Sequence, residues 1–563
     1  MDWVVNNIVR APHKKDESTI PRVSLHTYLL EKLRQNLEQY GDHDWLINGV
    51  TGQRSRYSEI LSKTSNLASA LSKMGLEKSD VIMMYCKNNH EYFFPVIAAW
   101  ICGASVTFVA PGMLELQVLN QSLDSKPKIL FCDEETFEKA VKVVASCNYI
   151  KYIVTVGCKK NNVLDLSGLM EDDGKAYPED VKIDIDRDIA YLPYSSGTTG
   201  LPKGIMHTHR STLSLLFSFS RMQPNPGFVY FCATSMFHSS GFVYAISGMH
   251  TMHTVLFLPR YDEDDFLQTI SKWKVVTLIS LPPPLVMIAK SKKAKNYDLS
   301  SVKYILYGGA MMSTESEVKL RETLPNLKGT FQGYGMTEVG GITTTFSLPT
   351  SGQNVAYRPL EEAVKFYEAP LGSIGRPNLY VEVKVTNVKT GESLSPHDSG
   401  ELWVRSPGVM KGYLGNPEAT SNTIVDGWCR TGDMGYYDQT GHFYLQERLK
   451  ELLKYRGFHV VPSSLENILL KHEGIKEATV IGIPDEEAGE LPCACIVPQL
   501  GYRINPSEVE EFLNSRVSDY EKLRGGVILR RSLKYNEVGK LDRRALLKDV
   551  LLNQQELLGT NRQ

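Results

Sequence analysis

Strand-like and helix-like segments alternate along the first third of the chain, and this alternation constrains the fold more than any other feature. Short apolar runs of strand length occur at 80–84, 128–133 and 153–156, with helical patterns between and after them. A further apolar run, 184–192, follows. Strands that alternate with helices indicate parallel, doubly wound sheets. We therefore predict a mixed α/β fold.

The length predicts more than one domain, because 563 residues exceed what a single hydrophobic core usually holds. Segments 381–387 and 400–404 fit strands of a small barrel-like subdomain. The composition changes near residues 447–450, and the chain beyond is long enough for a small separate domain.

Composition excludes several classes of protein. Apolar residues make up 42% and charged residues 22%, as in soluble globular proteins. A net charge of −2 gives no reason to expect a nucleic-acid partner, which usually requires a clustered basic surface. The nine cysteines show no paired spacing, and Cys493-x-Cys495 alone is poor support for a zinc site. Their odd number fits reduced, buried thiols of an intracellular protein.

One uncharged segment, 93–113, has the length of a membrane span but contains proline and glycine. We predict a buried helix that leads into a buried strand, and no integral membrane segment. The first fifteen residues have no long apolar core, and the last three do not form a peroxisomal signal. A cytoplasmic location is therefore expected.

The stretch from Tyr194 to Gly204 combines hydroxyls, glycines and one lysine. Glycines let the backbone approach a ligand closely, and hydroxyls with freed backbone N–H groups suit anionic oxygens. Lys203 adds a mobile positive charge suited to a polyphosphate. The dinucleotide-binding glycine spacing is absent, and Gly204 stands where a Walker A loop requires Ser or Thr. Alone, the stretch predicts only a phosphate-contacting loop or a solvated turn.

Five later segments extend this pattern: 304–310, 332–338, 428–433, 447–457 and 539–540. Together with 194–204 they resemble the adenylate-forming superfamily of acyl-CoA synthetases, 4-coumarate–CoA ligases, beetle luciferases and peptide-synthetase adenylation domains. The resemblance spans nearly the whole chain. It implies a large N-terminal adenylation domain, 1–446, of two α/β sheet subdomains plus a small β-barrel. A small mobile α+β domain, 447–563, would carry the catalytic lysine.

The resemblance also implies which residues bind ATP, Mg²⁺ and coenzyme A. Tyr334 would stack on the purine, Thr337 would bond the α-phosphate, Glu338 would hold Mg²⁺, and Asp433 would accept the ribose hydroxyls. Arg448 would approach the ribose, while Lys454 and Gly457 would serve the thioester-forming state. The remaining nucleotide-binding residues would be Ser195, Ser196, Gly197, Thr198, Thr199, Gly200, Lys203, Gly309, Ala310, Gln332, Gly333, Gly335 and Met336.

The C-terminal motifs depart from the family pattern at two places. Glu447 occupies the hinge position where an aspartate is usual, so the hinge geometry is expected to differ slightly. The segment before Gly539 lacks the usual proline, but Val538-Gly539-Lys540 is intact. Lys540 is therefore assigned as the catalytic lysine.

The acyl pocket is predicted from small and uncharged residues. His238 is assigned a positioning or gating role, because carboxylates near neutral pH are already ionised and need no base; a buried structural histidine is the alternative. An apolar tail is expected, with a fatty acid favoured over an arylpropenoate. The pocket residues are His238, Ser239, Gly241, Phe242, Gly308, Ala310, Gly333, Met336, Gly340, Gly341 and Ile342.

The resulting functional prediction is an AMP-forming acyl-CoA synthetase. It would convert an apolar carboxylic acid to acyl-AMP with release of pyrophosphate and then transfer the acyl group to coenzyme A. Its partners would be these small molecules only, and it would be a monomer or homodimer. A luciferase-like oxygenase and an inactive nucleotide-binding regulator remain alternatives. A peptide-synthetase domain is disfavoured, because 235–244 contains no aspartate to hold an amino group.

Overall fold

The computed structural model describes residues 3–11, 17–195, 202–219, 224–310, 312, 314–345, 369–370, 372–449, 451–456, 458–485, 487–535 and 541–559. By internal contacts the chain forms two compact units. Unit 1 comprises residues 1–384, 403–431 and 437–443, and unit 2 comprises 385–402, 432–436 and 444–563. The boundary at 446/447 derived from the sequence stays a prediction.

The strands are β1 (Val4–Val5), β2 (Ile8–Arg10), β3 (Asp44–Asn48), β4 (Arg54–Arg56), β5 (Val81–Tyr85), β6 (Ser105–Phe108), β7 (Ile129–Cys132), β8 (Tyr152–Thr155), β9 (Leu164–Asp165), β10 (Ile189–Leu192), β11 (Tyr194–Ser195), β12 (Lys203–Thr208), β13 (Val229–Cys232), β14 (Thr254–Phe257), β15 (Thr277–Ser280), β16 (Tyr304–Gly308), β17 (Gly329–Met336), β18 (Gly340–Thr344), β19 (Arg376–Pro377), β20 (Glu382–Thr386), β21 (Gly400–Arg405), β22 (Gly412–Tyr413), β23 (Ile424–Val425), β24 (Trp428–Tyr437), β25 (Phe443–Arg448), β26 (Leu453–Tyr455), β27 (Phe458–Val460), β28 (Ile475–Asp485), β29 (Gly489–Pro498) and β30 (Val527–Leu529). The helices are α1 (Leu25–Tyr40), α2 (Tyr57–Lys73), α3 (Phe94–Ile101), α4 (Glu115–Ser125), α5 (Phe137–Ala145), α6 (Leu166–Leu169), α7 (His209–Phe219), α8 (Ser239–Thr251), α9 (Glu263–Trp273), α10 (Pro282–Lys290), α11 (Thr314–Thr323), α12 (Pro417–Thr423), α13 (Pro462–Leu469), α14 (Pro506–Asn514) and α15 (Arg543–Gly559).

The first sheet of unit 1 has the strand order β11-β12-β10-β6-β5-β7-β8-β9, with β22 paired to β12. Strands β10, β6, β5, β7, β8 and β9 are parallel, whereas β12 is antiparallel to β10, β11 and β22. The predicted strand 184–192 is shorter than expected, since Asp184 begins a turn and β10 starts at Ile189. The segment after the glycine loop is a strand, β12, which the sequence did not predict.

The second sheet of unit 1 has the order β19-β18-β17-β16-β15-β13-β14-β3-β4. Its central strands β17, β16, β15, β13, β14 and β3 are parallel. Helices α3 and α8 belong to a hydrophobic core that also includes side chains from both sheets. The Trp100 indole on α3 donates to the Ala190 carbonyl of β10 at 2.8 Å, which ties this helix to the strand before the loop.

The uncharged segment 93–113 is the predicted buried helix and strand, α3 and β6, and every residue of both elements is buried. Among the residues that the structure describes, no helix has the length and apolar character needed to cross a membrane. Doubly wound α/β sheets are confirmed.

The described strands do not form the predicted β-barrel. Strands β20 and β21 confirm the predicted strand positions, but the sheet path that includes β1, β2 and β20 has free ends. Barrel closure requires the first and last strands to pair. The described strands therefore form open sheets.

Unit 2 contains a five-stranded sheet of order β27-β26-β29-β28, with β30 paired to β29. Side chains of β29 alternate between two cores, as the period of a strand requires. Ala494 and Ile496 face the core with α13 and α14, whereas Cys493, Cys495 and Val497 face Leu546 and Val550 of α15. The Cys-x-Cys pair is thus part of a hydrophobic core, and all nine cysteines are free thiols.

Candidate active site

The candidate site lies at the carboxyl ends of the parallel strands of the second sheet. β13, β15, β16 and β17 run in the same direction, so their ends share one edge. These ends lead into His238, Gly309 and Thr337, which the sequence assigned to the site. Ligands of open α/β sheets bind outside this edge.

Thr337 and Glu338 occupy the turn of a β-hairpin. Met336 on β17 pairs with Gly340 on β18, which leaves a three-residue turn. Gly340 has φ +85°, a conformation that glycine adopts readily. A Cβ on Gly335 would lie 2.3 Å from the Gly340 carbonyl oxygen, so this glycine allows the two strands to approach. Both glycines shape the hairpin that presents Thr337 and Glu338.

The Glu338 carboxylate is held at the buried end of this turn, where the residue is 8% exposed. The Tyr413 hydroxyl donates to Glu338 Oε1 at 3.0 Å, and the Met410 amide donates to the Glu338 carbonyl at 2.8 Å. Burial and the neighbouring carboxylate raise the pKa of Tyr413 above its usual range. The hydroxyl therefore stays protonated and acts as a donor near neutral pH.

The two strands that flank the glycine loop form an antiparallel pair. Ser195 pairs with Lys203, and Tyr194 pairs with Gly204. A Cβ on Gly204 would lie 2.9 Å from the Tyr194 ring and 3.2 Å from Leu414 Cβ, so packing explains the glycine after the lysine. The Lys203 ammonium lies 5.0 Å from the centroid of the Tyr413 ring. Ser196–Gly200 lie outside the described residues.

His207, also on β12, contacts the same hairpin. Its Nε2 lies 2.7 Å from the Thr337 carbonyl, and because a carbonyl only accepts, Nε2 is assigned the proton. The ring is fully buried and stacks on Tyr191 with a centroid distance of 5.8 Å. Burial lowers the pKa of His207 to about 4. The neutral ring thus joins the strand after the loop to the turn that carries Thr337.

Gly308 and Gly333 form one wall of the predicted pocket and pair across β16 and β17. A Cβ on Gly308 would lie 2.6 Å from the Gly333 carbonyl oxygen, whereas a Cβ on Gly333 would meet only the Tyr307 carbonyl, at 3.9 Å. Gly308 is therefore needed for strand packing, while Gly333 leaves space. Gly309 (φ +79°) and Ala310 continue this wall and are exposed.

The other predicted members of this wall lie along β17 and β18. Gln332, Tyr334, Met336 and Gly341 are half-buried, and Ile342 is fully buried.

His238 is the N-cap residue of helix α8, and its ring caps the first turn. His238 Nδ1 accepts the Ser240 amide at 3.4 Å and lies 3.1 Å from Ser240 Oγ. An accepting Nδ1 places the ring proton on Nε2, which favours a positioning role over that of a base.

Two neighbours of the cap link it to β10. The Tyr191 hydroxyl donates to Ser239 Oγ at 3.3 Å, and its ring stacks on Phe242 with a centroid distance of 4.3 Å. Phe242 is fully buried in the hydrophobic core. A Cβ on Gly241 would lie 2.3 Å from the Ser235 carbonyl oxygen, so the small size of this glycine allows the helix to pack closely.

Asp433, the predicted ribose ligand, lies on β24 in unit 2 and is 7% exposed. The preceding Gly432 has φ +72°; its amide donates to Glu401 Oε1 at 3.2 Å, and its carbonyl accepts the Leu449 amide at 2.8 Å. Glu447 and Arg448 lie on β25, and Lys454 lies on β26. Gly457 and Lys540 lie outside the described residues.

Two side chains at this site were not assigned a role from the sequence. Tyr413 lies 75 positions from the carboxylate it contacts, so no local pattern identifies it. His207 left a weak signal, as a histidine directly after the apolar pair Ile205 and Met206. A buried histidine in such a strand needs a hydrogen-bond partner, and Thr337 provides it.

Comparison with known proteins identifies the family. The model described as AMP-binding enzyme matches residues 33–414, and that of the AMP-binding enzyme C-terminal domain matches residues 464–540. The chain is 35% identical over 516 residues to 4-coumarate–CoA ligase 2 of Petroselinum crispum, covering 90% of each chain. It is 34% identical over 538 residues to luciferin 4-monooxygenase of Photuris pensylvanica, covering 92% of this chain and 94% of the relative.

A solved structure shows the same fold. ATP-bound MatB from Rhodopseudomonas palustris matches with a TM-score of 0.79 at 23% identity, covering 94% of this chain and 99% of that one. The family model spans more than half of the chain, and the relatives match over nearly their whole length. This chain therefore belongs to the AMP-binding, adenylate-forming enzymes, the family of acyl- and aryl-CoA ligases that also includes luciferin 4-monooxygenase.

Proposed function

We propose that this protein is an ATP-dependent carboxylate–CoA ligase that forms an acyl-adenylate and then an acyl-CoA thioester. The observation that carries the proposal is the junction between β12 and the β17–β18 hairpin. There, the predicted phosphate contacts Lys203 and Thr337 and the predicted metal ligand Glu338 are linked through His207 and Tyr413. The relationship to 4-coumarate–CoA ligases supports coenzyme A as the acceptor.

In the first half-reaction, the substrate carboxylate attacks the α-phosphorus of ATP, and the bond to pyrophosphate breaks. Lys203 is proposed to hold the β- and γ-phosphates, and Thr337 to bond the α-phosphate. Lys540 would offset the charge that develops on the transferring group. No enzyme nucleophile is required, so catalysis rests on positioning and electrostatic stabilisation.

Glu338 is the proposed ligand for Mg²⁺. Mg²⁺ is usually bound by one or two carboxylates together with substrate phosphates, so a single carboxylate fits. Within the residues that the structure describes, no group of three or more His, Cys, Asp or Glu side chains could form a metal site on its own. When bound with ATP, the ion would neutralise phosphate charge.

In the second half-reaction, the thiol of coenzyme A attacks the acyl carbon and AMP leaves. We propose that the domain 447–563 alternates between two orientations, one for each half-reaction, with Glu447 as the hinge and the segment containing Lys454 and Gly457 serving the second half-reaction. Lys540 would then be needed only for adenylation.

The acyl substrate is proposed to be an apolar carboxylic acid. Gly333 leaves space at the wall, and no carboxylate or lysine is among the predicted pocket residues. A medium- or long-chain fatty acid and an arylpropenoate both suit such a wall. The names of the 4-coumarate–CoA ligase relatives support including arylpropenoates.

The test is a panel of carboxylic acids assayed for pyrophosphate release with and without coenzyme A, in wild type and in Lys540→Ala. Wild type is expected to release pyrophosphate with at least one apolar acid and to form its CoA thioester. Lys540→Ala is expected to lose adenylation but to convert supplied acyl-adenylate to thioester. Equal loss of both half-reactions would contradict the alternation, and nucleotide binding without activity on any acid would indicate the inactive regulator.

A luciferase-like oxygenase is a second candidate, favoured by the identity to luciferin 4-monooxygenase. Such an enzyme would form the same acyl-adenylate but would then oxidise it with molecular oxygen. Light emission with luciferin, ATP and oxygen, in the absence of thioester formation, would support it over the ligase.

A further inference from the structure

Tyr413 contacts two groups of opposite charge through different parts of one side chain. Its hydroxyl donates to Glu338 Oε1 at 3.0 Å, and its ring lies 5.0 Å from the Lys203 ammonium. Tyr413 is 8% exposed, and so is Glu338. The contact between the hydroxyl and the carboxylate is therefore largely shielded from water, where hydrogen bonds to a charged group are strengthened. Lys203, on the ring side, is half-buried.

The main chain around Tyr413 fixes its position relative to both groups. The Leu414 amide donates to the Gly204 carbonyl at 2.8 Å, and the Lys411 amide donates to the Met206 carbonyl at 2.8 Å. On the other side, the Met410 amide donates to the Glu338 carbonyl at 2.8 Å. The segment 410–414, which contains β22, is thus bonded both to the strand that carries Lys203 and to the turn that carries Glu338.

The hydroxyl contact is compatible with metal binding by the same carboxylate. A carboxylate has about four lone-pair positions, so accepting one hydroxyl leaves capacity for a cation. A tyrosine hydroxyl adds no charge, so it orients the carboxylate without neutralising it. On the ring side, the aromatic face attracts the ammonium but leaves its N–H groups able to donate to phosphate oxygens.

We propose that Tyr413 is a positioning residue that sets the separation and orientation of Lys203 and Glu338 for binding ATP with its metal ion. The inference rests on the proposed function, in which Lys203 binds phosphate and Glu338 binds Mg²⁺. It goes further by assigning the coupling between these two groups to one side chain that lies outside the six sequence segments that carry the family resemblance. Tyr413 itself touches neither substrate nor metal in this scheme.

The experiment measures the affinity for ATP by calorimetry, once with Mg²⁺ and once with a chelator. Tyr413→Phe keeps the ring below Lys203 but loses the hydroxyl. It is expected to weaken binding of ATP with Mg²⁺ about 10-fold and metal-free binding less than about twofold. Tyr413→Leu also loses the ring, so metal-free binding should weaken about threefold as well.

The control is Tyr57→Phe, which removes a buried hydroxyl that donates to the His253 carbonyl at 2.6 Å. It is expected to match wild type in both conditions. An equal loss in both conditions for Tyr413→Phe, or no loss in either, would overturn the proposal.

A double-mutant cycle separates positioning from a general folding defect. In a Glu338→Ala background, Tyr413→Phe should change the Mg²⁺-dependent affinity less than about twofold, because its partner is already absent. A folding defect would lower affinity in both backgrounds, and that result would overturn the role of Tyr413. If wild type itself binds ATP equally with and without Mg²⁺, the proposed function fails, and the inference fails with it.

Discussion

Two neighbouring regions of the site are built in opposite ways. The hairpin that carries Thr337 and Glu338 is held by contacts from residues far from it in the sequence, namely His207, Met410 and Tyr413. The wall formed by β16 and β17 is defined by missing side chains at Gly308 and Gly333. Under the proposed function, the first region holds the groups that bind ATP and its metal ion, and the second bounds the space for the acyl group. Catalysis would then depend on hydrogen bonds to the hairpin, and substrate specificity on the absence of side chains in the wall.

The largest expected effect is in the hairpin. Glu338→Ala should lower the rate of pyrophosphate release about 100-fold or more, because it removes a preorganised charge at the reacting phosphates. The measurement is initial rates at saturating ATP. Glu134→Ala is the matched control, since that carboxylate pairs with Lys160 on the surface with 67% of its side chain exposed. A loss below about threefold for Glu338→Ala would mean that the hairpin is structural.

The wall is tested by a matched pair of glycine substitutions. Gly308→Ala places a Cβ 2.6 Å from a carbonyl oxygen and should reduce the free energy of unfolding by about 3 kcal/mol. In Gly333→Ala the added Cβ has no neighbour closer than 3.9 Å, so the free energy of unfolding should change by less than about 0.5 kcal/mol. Gly333→Ala should instead shift the preference among acids towards smaller ones. Denaturant unfolding and the acid panel measure both. Equal stabilities for the two variants would mean that Gly308 is not required for strand packing.

The contacts of His207 predict a smaller, pH-dependent effect. The folded pKa of about 4 lies below the usual value of 6.5, so the unfolded chain takes up the proton first as pH falls. The contribution of neutral His207 to the free energy of unfolding is therefore complete above pH 6.5 and is lost as pH falls towards 4. At pH 5 about 2 kcal/mol of it is lost. His207→Asn keeps an N–H donor but does not titrate, so stability should fall less steeply between pH 7 and pH 5. Identical slopes in urea titrations would contradict this assignment.

The sequence predicted those parts of the molecule that depend on local order along the chain. Alternating strands and helices predicted parallel, doubly wound sheets, and the contiguous motif 332–338 predicted Thr337 and Glu338 as site residues. The sequence missed β12, because Lys203 and Gly204 are poor strand formers and form a strand only by pairing with β10, β11 and β22. Tyr413 was missed because its role depends on a contact across 75 positions. The small residues of the wall looked equivalent in the sequence. Whether such a glycine is needed for packing or leaves space depends on which atoms a Cβ at that position would contact, and the sequence does not contain this information.

The three-residue turn between β17 and β18 has an entropic consequence. Ordering a residue's backbone costs about 1–2 kcal/mol, and the turn at Thr337, Glu338 and Val339 incurs that cost when the chain folds. A nucleotide that binds here as proposed would meet groups already in place and would not have to order them. More of its binding free energy would then remain for bringing the carboxylate and the α-phosphorus together. Under the proposed function, this short turn thus preorganises Thr337 and Glu338 during folding.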